Sequence, residues 1–292
     1  MSTYDPDQTG NYYILGDSHA EMVHLIESDR SFTRSMGGLL PEQPEEVLLG
    51  LNDVLDIGCG PGGWVLELAQ QFPDIQVSGL DISKGMIDYA TVLARASHLE
   101  NAHFHVGNAL EPLDFPDASF DLVNARQLEG VIPTASWPGL LQEMVRVTRP
   151  GGTVRLAGNE WGVTNSLAFE TVHALTLQGN LAFGLNHGPD ARTWGLINMA
   201  SRYLRDAGCV QIQEHPSFLD FSADAPQHQD ASKMWIISAE LLGPFFLSAG
   251  VTTAAPYEQL KRQLSIELAE ESFRGIIYTM TVWGHKPEQQ EQ

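Results

Sequence analysis

The sequence of 292 residues predicts a three-layer α/β fold built on a mostly parallel sheet of seven strands. From about residue 53 onward, short apolar segments alternate with helix-like segments. Parallel strands joined by crossover helices produce that alternation. A glycine-rich turn follows the first apolar segment, and no internal repeat or low-complexity tract interrupts the order. These observations favour one large α/β domain with added helices.

The strands are short apolar runs that end at glycine, aspartate or other turn-forming residues. They are expected at 53–58 (DVLDIG), 75–81 (IQVSGLD), 102–107 (AHFHVG), 119–125 (SFDLVNA), 153–158 (TVRLAG), 210–215 (VQIQEH) and 275–285 (GIIYTMTVWGH).

Helices are predicted where apolar residues recur at a spacing of three and four. Such patterns follow the first strand from Trp64, the second from Met86 and the fourth from Trp137, and another covers 193–207 before the sixth strand. Three further helices, near 167–185, 229–249 and 256–272, have no place in a simple alternation.

The extra helices define the expected domain organisation. Residues 1–45, with the amphipathic stretch AEMVHLIESDR, are predicted to form an N-terminal helical lid. Residues 46–292 are predicted to form the main domain, with cap insertions at about 160–192 and 222–272. Ligands of such sheets bind beyond the carboxyl ends of the strands, so the lid and cap are expected to cover that edge.

Charge excludes several classes of partner. The formal net charge is −21, from 16 Lys and Arg against 37 Asp and Glu. A protein that binds DNA or RNA needs a basic face, and anionic membrane surfaces also attract basic segments. No nucleic-acid or membrane partner is therefore expected.

Sequence patterns also bear on the cellular location of the protein and on metal binding. The N-terminus MSTYDPDQTG lacks a basic-then-apolar pattern, and the apolar run Met234–Gly250 is too short to span a bilayer. A cytoplasmic protein is therefore expected. The two cysteines and ten histidines show no metal-binding spacing, so no metal site is expected.

The stretch VLDIGCGPGGW (54–64) raises the central question of which ligand its turn holds. Gly58, Gly60 and Gly63 fit the G-x-G-x-x-G spacing of a dinucleotide site, whereas Gly58, Gly60 and Gly62 fit G-x-G-x-G. Glycines let the backbone bend tightly and approach a ligand, a need that several cofactors share. Asp56 is more selective, since a pyrophosphate requires bare N–H groups whereas a cationic ligand favours an acid.

Two further polar residues lie at the ends of the next strands. Asp81 ends the second strand, where an acid can accept hydrogen bonds from both hydroxyls of a ribose. Asn108 follows the third strand, where a short polar side chain could meet an adenine edge. A cation, a ribose and an adenine together indicate S-adenosylmethionine rather than a dinucleotide.

Several motifs, in order, resemble a known family. VLDIGCGPGGW, GLDIS, VGNALEPLDFPDASFDLV and RVTRPGGTV, between about residues 50 and 160, resemble class I S-adenosylmethionine-dependent methyltransferases of the ubiquinone/menaquinone-methylase-like branch. The resemblance implies a Rossmann-like methyltransferase fold and a set of cofactor contacts. The loop Gly58–Gly62, with Cys59 and Gly60, would pass under the methionine part beside Asp56, and Asp81 would hold the ribose hydroxyls.

The resemblance also implies contacts at the two ends of the cofactor. Ile82 and Met86 would flank the adenine, Asn108 and Ala109 would meet its edge, and the backbone of Ala125 and Arg126 would contact the methionine ammonium. Family members often have Asp where Asn108 stands, so weaker selectivity is expected there. Tyr12 or Tyr13 could reach the methionine carboxylate, although a packed aromatic is an equally good interpretation.

No firm catalytic residue is predicted, because methyl transfer depends chiefly on holding the acceptor behind the methyl group. Glu129, after the fourth strand, and His173, in the predicted cap, are candidate bases, and His187 is a further candidate for substrate contact. The acceptor is expected to be a small, lipophilic organic molecule. A nicotinamide-dependent oxidoreductase, a non-catalytic binding module and a protein methyltransferase stay open, as does the oligomeric state.

Overall fold

The computed structural model describes residues 19–160 and 162–288. Its strands are β1 (Asp53–Ile57), β2 (Gln76–Asp81), β3 (Ala102–Val106), β4 (Phe120–Arg126), β5 (Thr148–Asn159), β6 (Val163–Thr164), β7 (Val210–Asp220) and β8 (Gly275–His285). Its helices are α1 (His19–Met36), α2 (Glu45–Gly50), α3 (Gly63–Gln71), α4 (Lys84–Ala96), α5 (Trp137–Val147), α6 (Leu167–Ala182), α7 (Leu196–Asp206), α8 (His228–Ser248) and α9 (Ala254–Leu268).

The strands form one mixed sheet in the order β3-β2-β1-β4-β5-β8, with β6 and β7 also paired to β8. Neighbours from β3 to β5 run parallel, whereas β8 is antiparallel to β5, β6 and β7. The winding direction reverses between β1 and β4, which opens a crevice at the carboxyl ends of those strands. The predicted α/β fold is confirmed.

Apolar side chains build a layer on each face of the sheet. On one face, Trp64 and Leu68 of α3 and Ile87 of α4 pack against Val54 and Val77 of the sheet. On the other face, α5 and α7 pack against β1, β4 and β5 through a second apolar cluster. These clusters place the glycine turn, which joins β1 to α3, at the open edge of the sheet.

The extra helices form a third cluster of their own. Helices α6, α8 and α9 share buried apolar residues, and Leu219 of β7 and Ile277 of β8 join them. Helix α1 contacts α3, α8 and β7, so it joins the glycine-loop side of the sheet to the extra helices. The predicted lid at residues 1–45 and the predicted cap insertions stay predictions.

The structure extends two of the seven predicted strands and adds an eighth strand. β5 begins at Thr148 rather than 153, with an irregular register between Phe120 and Leu122 of its partner strand. β7 continues to Asp220 because it pairs with β8 along most of that strand. The two-residue strand β6, also paired to β8, is too short to leave a periodic signal.

Gly62 illustrates how closely the glycine turn packs, and it yields a testable prediction. Its φ is +82°, and an added Cβ would lie 2.7 Å from the Phe104 ring and 2.9 Å from the Ala90 Cβ. Gly62→Ala is expected to lower the free energy of unfolding by roughly 1–3 kcal/mol. Urea denaturation measures the loss.

Gly139, within α5, provides the matched control. An added Cβ there would meet nothing within 4 Å. Gly139→Ala should therefore stabilise the protein by about 0.5–1 kcal/mol, since it only restricts the unfolded chain. Equal stability of the Gly62→Ala variant and the parent protein would contradict the packing described for the turn.

Candidate functional site

A cavity of about 240 Å³ lies at the carboxyl ends of β1, β2, β3 and β4. Most of the residues predicted to bind a cofactor lie on its wall. They are Asp56, Gly58, Cys59, Gly60, Asp81, Ile82, Met86, Asn108, Ala109 and Arg126. Because parallel strands end at one edge of the sheet, the topology alone brings these separated segments together.

Gly62 and Ala125 are absent from the cavity wall, although the prediction for Ala125 concerned its backbone, and Tyr13 cannot be placed. Gly62 caps α3, where its lack of a side chain admits the Phe104 ring. The side chain of Ala125 is buried in the apolar cluster beneath α5 and α7. Tyr13 lies outside the described residues, as does Tyr12.

The glycine turn is held by hydrogen bonds from its own amides. The N–H groups of Gly58 and Cys59 donate to the Leu80 carbonyl, at 2.8 and 3.0 Å. The Gly60 N–H donates to Asp81 Oδ2 at 2.9 Å, and the Gly62 N–H donates to the Cys59 carbonyl at 3.0 Å. These four amides are therefore used to shape the turn.

Asp81 joins the turn to the end of β2. Besides Gly60, the N–H of Ser83 donates to its Oδ1 at 2.9 Å, so both carboxylate oxygens have fixed partners. Burial raises the pKa of Asp81, while the amides of Ser83, Gly60 and Ile82 act in the opposite direction. The carboxylate is thus locked in one orientation on the cavity wall.

Asp56 occupies the neighbouring strand and is 4% exposed. Asn124 Nδ2 donates to its Oδ1 at 2.7 Å. Burial raises the pKa of Asp56 to about 7, against the lowering effects of Asn124 and Arg155. A carboxyl group poised in this way can change its charge near neutral pH when a ligand binds.

Two other wall residues have pairing or chemistry that limits their roles. Asn108 Oδ1 accepts a hydrogen bond from the Leu110 N–H at 2.9 Å, so an adenine amino group would share that oxygen. Burial and the nearby Asp81 and Asp56 carboxylates raise the pKa of the Cys59 thiol well above its usual value. Cys59 is therefore a small wall residue rather than a reactive thiolate.

Helix α1 supplies wall residues that sequence reasoning missed, namely Leu25 and Asp29. Asp29 forms a buried ion pair with Arg126 of β4. Arg126 Nη1 also donates to Thr33 Oγ1 at 3.1 Å, and its guanidinium lies 5.4 Å from the Phe32 ring centroid. The Arg126 side chain thus fixes α1 over the cavity. The amphipathic pattern of α1 identified a packed helix but not the partner of its acid.

The candidate bases do not lie on the cavity wall. Glu129 Oε1 accepts from the Asn159 N–H at 2.8 Å, and burial raises the pKa of Glu129 to about 7. Burial lowers the pKa of His173, on α6, to about 3. The Nδ1 atom of His187 pairs with the Tyr203 hydroxyl at 2.9 Å. Glu129 and His187 thus serve contacts within the fold in this conformation.

The described ranges contain neither a candidate metal centre nor a candidate membrane span. No group of His, Cys, Asp and Glu in residues 19–160 and 162–288 is arranged to hold a metal ion. Within the same ranges, no helix combines the length and apolar character needed to cross a bilayer.

The comparisons with known proteins point to one family. Residues 54–152 match the family model described as a methyltransferase domain. The chain is 34% identical over 152 residues to ajmaline N-methyltransferase of Rauvolfia serpentina, covering 52% of this chain and 47% of that protein. It is 37% identical over 101 residues to demethylmenaquinone methyltransferase of Listeria welshimeri, covering 34% of this chain and 42% of that protein.

A longer alignment joins the chain to sterol 24-C-methyltransferase of Gibberella zeae, at 26% identity over 213 residues. It covers 70% of this chain and 52% of that enzyme. The chain thus spans about half the length, or less, of these curated relatives.

Solved structures agree on the fold. A phosphoethanolamine N-methyltransferase of Haemonchus contortus, in complex with S-adenosylmethionine, superposes with a TM-score of 0.51 at 19% identity, covering 94% of this chain and 58% of that one. The YcgJ protein of Bacillus subtilis gives a TM-score of 0.50 at 19% identity, covering 81% and 92%. Residues 54–152 thus form a methyltransferase domain, and that domain resembles those of class I S-adenosylmethionine-dependent methyltransferases.

Proposed function

We propose that the cavity binds S-adenosylmethionine and that the protein transfers its methyl group to a small, largely apolar organic molecule. The cofactor would supply an electrophilic methyl group on a cationic sulfur. Asp56 would face the ammonium end, Asp81 would accept from the ribose hydroxyls, and Ile82, Met86, Asn108 and Ala109 would surround the adenine. These roles use the chemistry of residues that share one cavity wall.

The hydrogen bonds that the glycine-turn amides already make favour S-adenosylmethionine over a nicotinamide dinucleotide. A pyrophosphate needs free N–H groups at the start of the following helix. Here the amides of Gly58, Cys59, Gly60 and Gly62 already have acceptors. In addition, Asp29 Oδ2 lies so near that a Cβ added to Gly63, the first residue of α3, would be 2.7 Å from it. A second anion is unfavourable there, which argues against a nicotinamide dinucleotide.

A cationic cofactor suits the same surroundings. Asp29, Asp56 and Asp81 all line the cavity, and Arg126, which also lines it, is paired with Asp29. The acidic groups therefore outnumber the basic ones around the space. We assign Asp56 to the cationic part because it is buried and receives the single Asn124 bond, so one oxygen is left for a ligand.

The acceptor class is proposed from the cavity wall itself. Leu25, Leu128, Val131 and Ile132 give that wall an apolar part, which suits an apolar substrate. The names of the ajmaline, sterol and demethylmenaquinone enzymes point to small organic acceptors for those relatives. Since Glu129 and His173 lie off the wall, we assign catalysis chiefly to orientation and exclusion of water. A base role for either residue requires a movement that brings it to the acceptor.

Calorimetric titration with S-adenosylmethionine, S-adenosylhomocysteine and NADH tests the cofactor. We expect both sulfur compounds to bind and NADH to give no heat. Methyl-labelled S-adenosylmethionine should then transfer label to the small-molecule fraction of a cell extract. Label in the protein fraction alone would favour a protein methyltransferase. Binding without any transfer would favour the non-catalytic module, and NADH binding alone would overturn the proposal.

A further inference from the structure

A row of buried polar side chains crosses one face of the sheet at β1, β4 and β5. Asp56 is paired in register with Asn124, and Asn124 with Arg155, so the three side chains leave the sheet on the same face. Asn124 Nδ2 donates to Asp56 Oδ1 at 2.7 Å. Arg155 Nη1 donates to Asn124 Oδ1 at 2.8 Å. Of these three residues, only Asp56 lines the cavity.

The row ends on the N-terminal segment. Arg155 Nε donates to Glu42 Oε1 at 2.7 Å, and neither side chain is exposed, each at 0%. Arg155 Nη2 has a longer contact of 3.5 Å with Thr281 Oγ1 on β8. Glu42 thus balances the positive charge of Arg155, and the Nη1 atom of Arg155 is left to orient Asn124.

The chemistry of the row fixes which way the Asn124 amide faces. A guanidinium can only donate hydrogen bonds and an ionised carboxylate can only accept them. Asn124 must therefore present its oxygen to Arg155 and its NH₂ group to Asp56. Flipping the amide would place donor against donor and acceptor against acceptor, so Arg155 determines the orientation.

The hydrogen bond that Asn124 donates to Asp56 favours the ionised form of the carboxyl group. It also holds the carboxylate in one orientation. Burial acts against the charge and raises the pKa of Asp56 to about 7. Asn124 and Arg155 lower the pKa, and the Asp81 carboxylate on β2 raises it. The neutral Cys59 thiol lies near Asp56 in the turn, and Arg126, two residues beyond Asn124 on β4, is paired with Asp29.

We propose that Asn124 and Arg155 are positioning residues for the cationic end of the cofactor. Arg155 orients the Asn124 amide, and that amide holds the Asp56 carboxylate toward the ammonium group. Neither residue lies on the cavity wall. The inference rests on S-adenosylmethionine being the ligand, and it adds residues remote from the cavity to the determinants of affinity.

Asn124→Ala tests the proposal when two probes are compared. S-adenosylmethionine carries the ammonium group, whereas methylthioadenosine keeps the adenine and ribose without it. We expect the variant to lose about tenfold in affinity for S-adenosylmethionine, the rough scale of one hydrogen bond to a charged group. The affinity for methylthioadenosine should stay within about twofold. Equal losses for both probes would mean that the cavity is merely deformed, and no loss for either would also overturn the proposal.

Thr281→Val is the matched control, because it removes the other side-chain contact of Arg155 on the sheet without touching Asn124. The ratio of the two affinities should be unchanged in that variant. Asn124→Ser, which keeps a hydroxyl donor, should give an intermediate ratio and replaces the alanine variant if the latter does not fold.

The unmodified protein gives an independent readout. Because cation binding needs the ionised carboxylate, affinity for S-adenosylmethionine should fall as the pH drops from 7.5 to 5.5, a range in which an α-amino group stays largely protonated. Methylthioadenosine should bind equally throughout. A flat profile for S-adenosylmethionine would remove Asp56 from the cation site, and with it the role of Asn124 and Arg155. Failure of the protein to bind either probe would instead refute the proposed cofactor.

Discussion

Replacing Asp81 by alanine is expected to weaken S-adenosylmethionine binding by roughly 10- to 100-fold. The interaction that we propose for Asp81 is a charge-assisted hydrogen bond to the ribose, and such a bond contributes about 1.5–3 kcal/mol. The same carboxylate accepts from the amides of Gly60 and Ser83, so the substitution also frees the turn that borders the ligand. Both effects act in the same direction. Isothermal titration of the purified variant measures the change.

Two further variants separate these effects. Asp81→Asn keeps an oxygen acceptor for one of the two amides but removes the charge, so an intermediate affinity is expected. Asp88→Ala removes an aspartate on α4 that is exposed and paired with Lys84, and should leave binding unchanged. An Asp81→Ala variant that binds as tightly as the parent protein would show that the ribose contact is wrongly assigned.

The positions of Asp56 and Asp81 could be predicted from the sequence because Asp81 ends an apolar strand and Asp56 lies one residue before the end of another. Once strands alternate with helices, the sheet is parallel and every strand end of this kind reaches the same edge. The observed strands β1 and β2 end at Ile57 and Asp81, within one residue of the expected limits. Local pattern and topology together therefore fixed the site's location.

The direction of side chains beyond a strand end could not be predicted in this way. Gln127 has a φ of +52°, which turns the chain immediately after β4. Gln127 and Leu128 then line the cavity, while Glu129 contacts the end of β5. The turn at Gln127 thus lies where the chain passes from cavity-lining residues to Glu129. No composition or spacing rule reports such an angle for a residue other than glycine.

The contacts between distant segments were equally inaccessible. The Asp29–Arg126 and Glu42–Arg155 pairs each join the N-terminal segment to a strand about 100 residues later. An acid on an amphipathic helix is usually solvated, and no sequence pattern pairs Asp29 with an arginine about 100 residues away. Buried charges therefore join residues 19–50 to the sheet, in addition to the apolar face of α1 that the sequence indicated.

Arg155→Met should cost roughly 3–5 kcal/mol of stability, because removing one partner leaves the other charge buried and uncompensated. Glu42 would lose its cation, and the Asn124 oxygen would lose its donor. The double variant Arg155→Met/Glu42→Leu removes both charges and should recover most of the loss. Urea denaturation of the four proteins yields the coupling energy between the pair. A double variant no more stable than the single one would contradict a buried charge as the cause.

The pH dependence of this loss has a definite sign. In the parent protein, burial raises the pKa of Glu42, but the charge and hydrogen bond of Arg155 outweigh it and the pKa is lowered. The pair therefore stabilises the fold above the ordinary carboxyl pKa, and this contribution fades as the pH falls through the lowered value. In Arg155→Met only burial remains, so the pKa of Glu42 rises, and protonation in acid relieves the buried charge. The stability gap between the two proteins should be narrower at pH 5 than at pH 7.5, because protonation of Glu42 stabilises the variant over that range, whereas the parent is still above the ordinary carboxyl pKa and keeps the contribution of the pair. A gap of equal size at both pH values would mean that lost packing of the arginine side chain, rather than the unpaired carboxylate, accounts for the destabilisation.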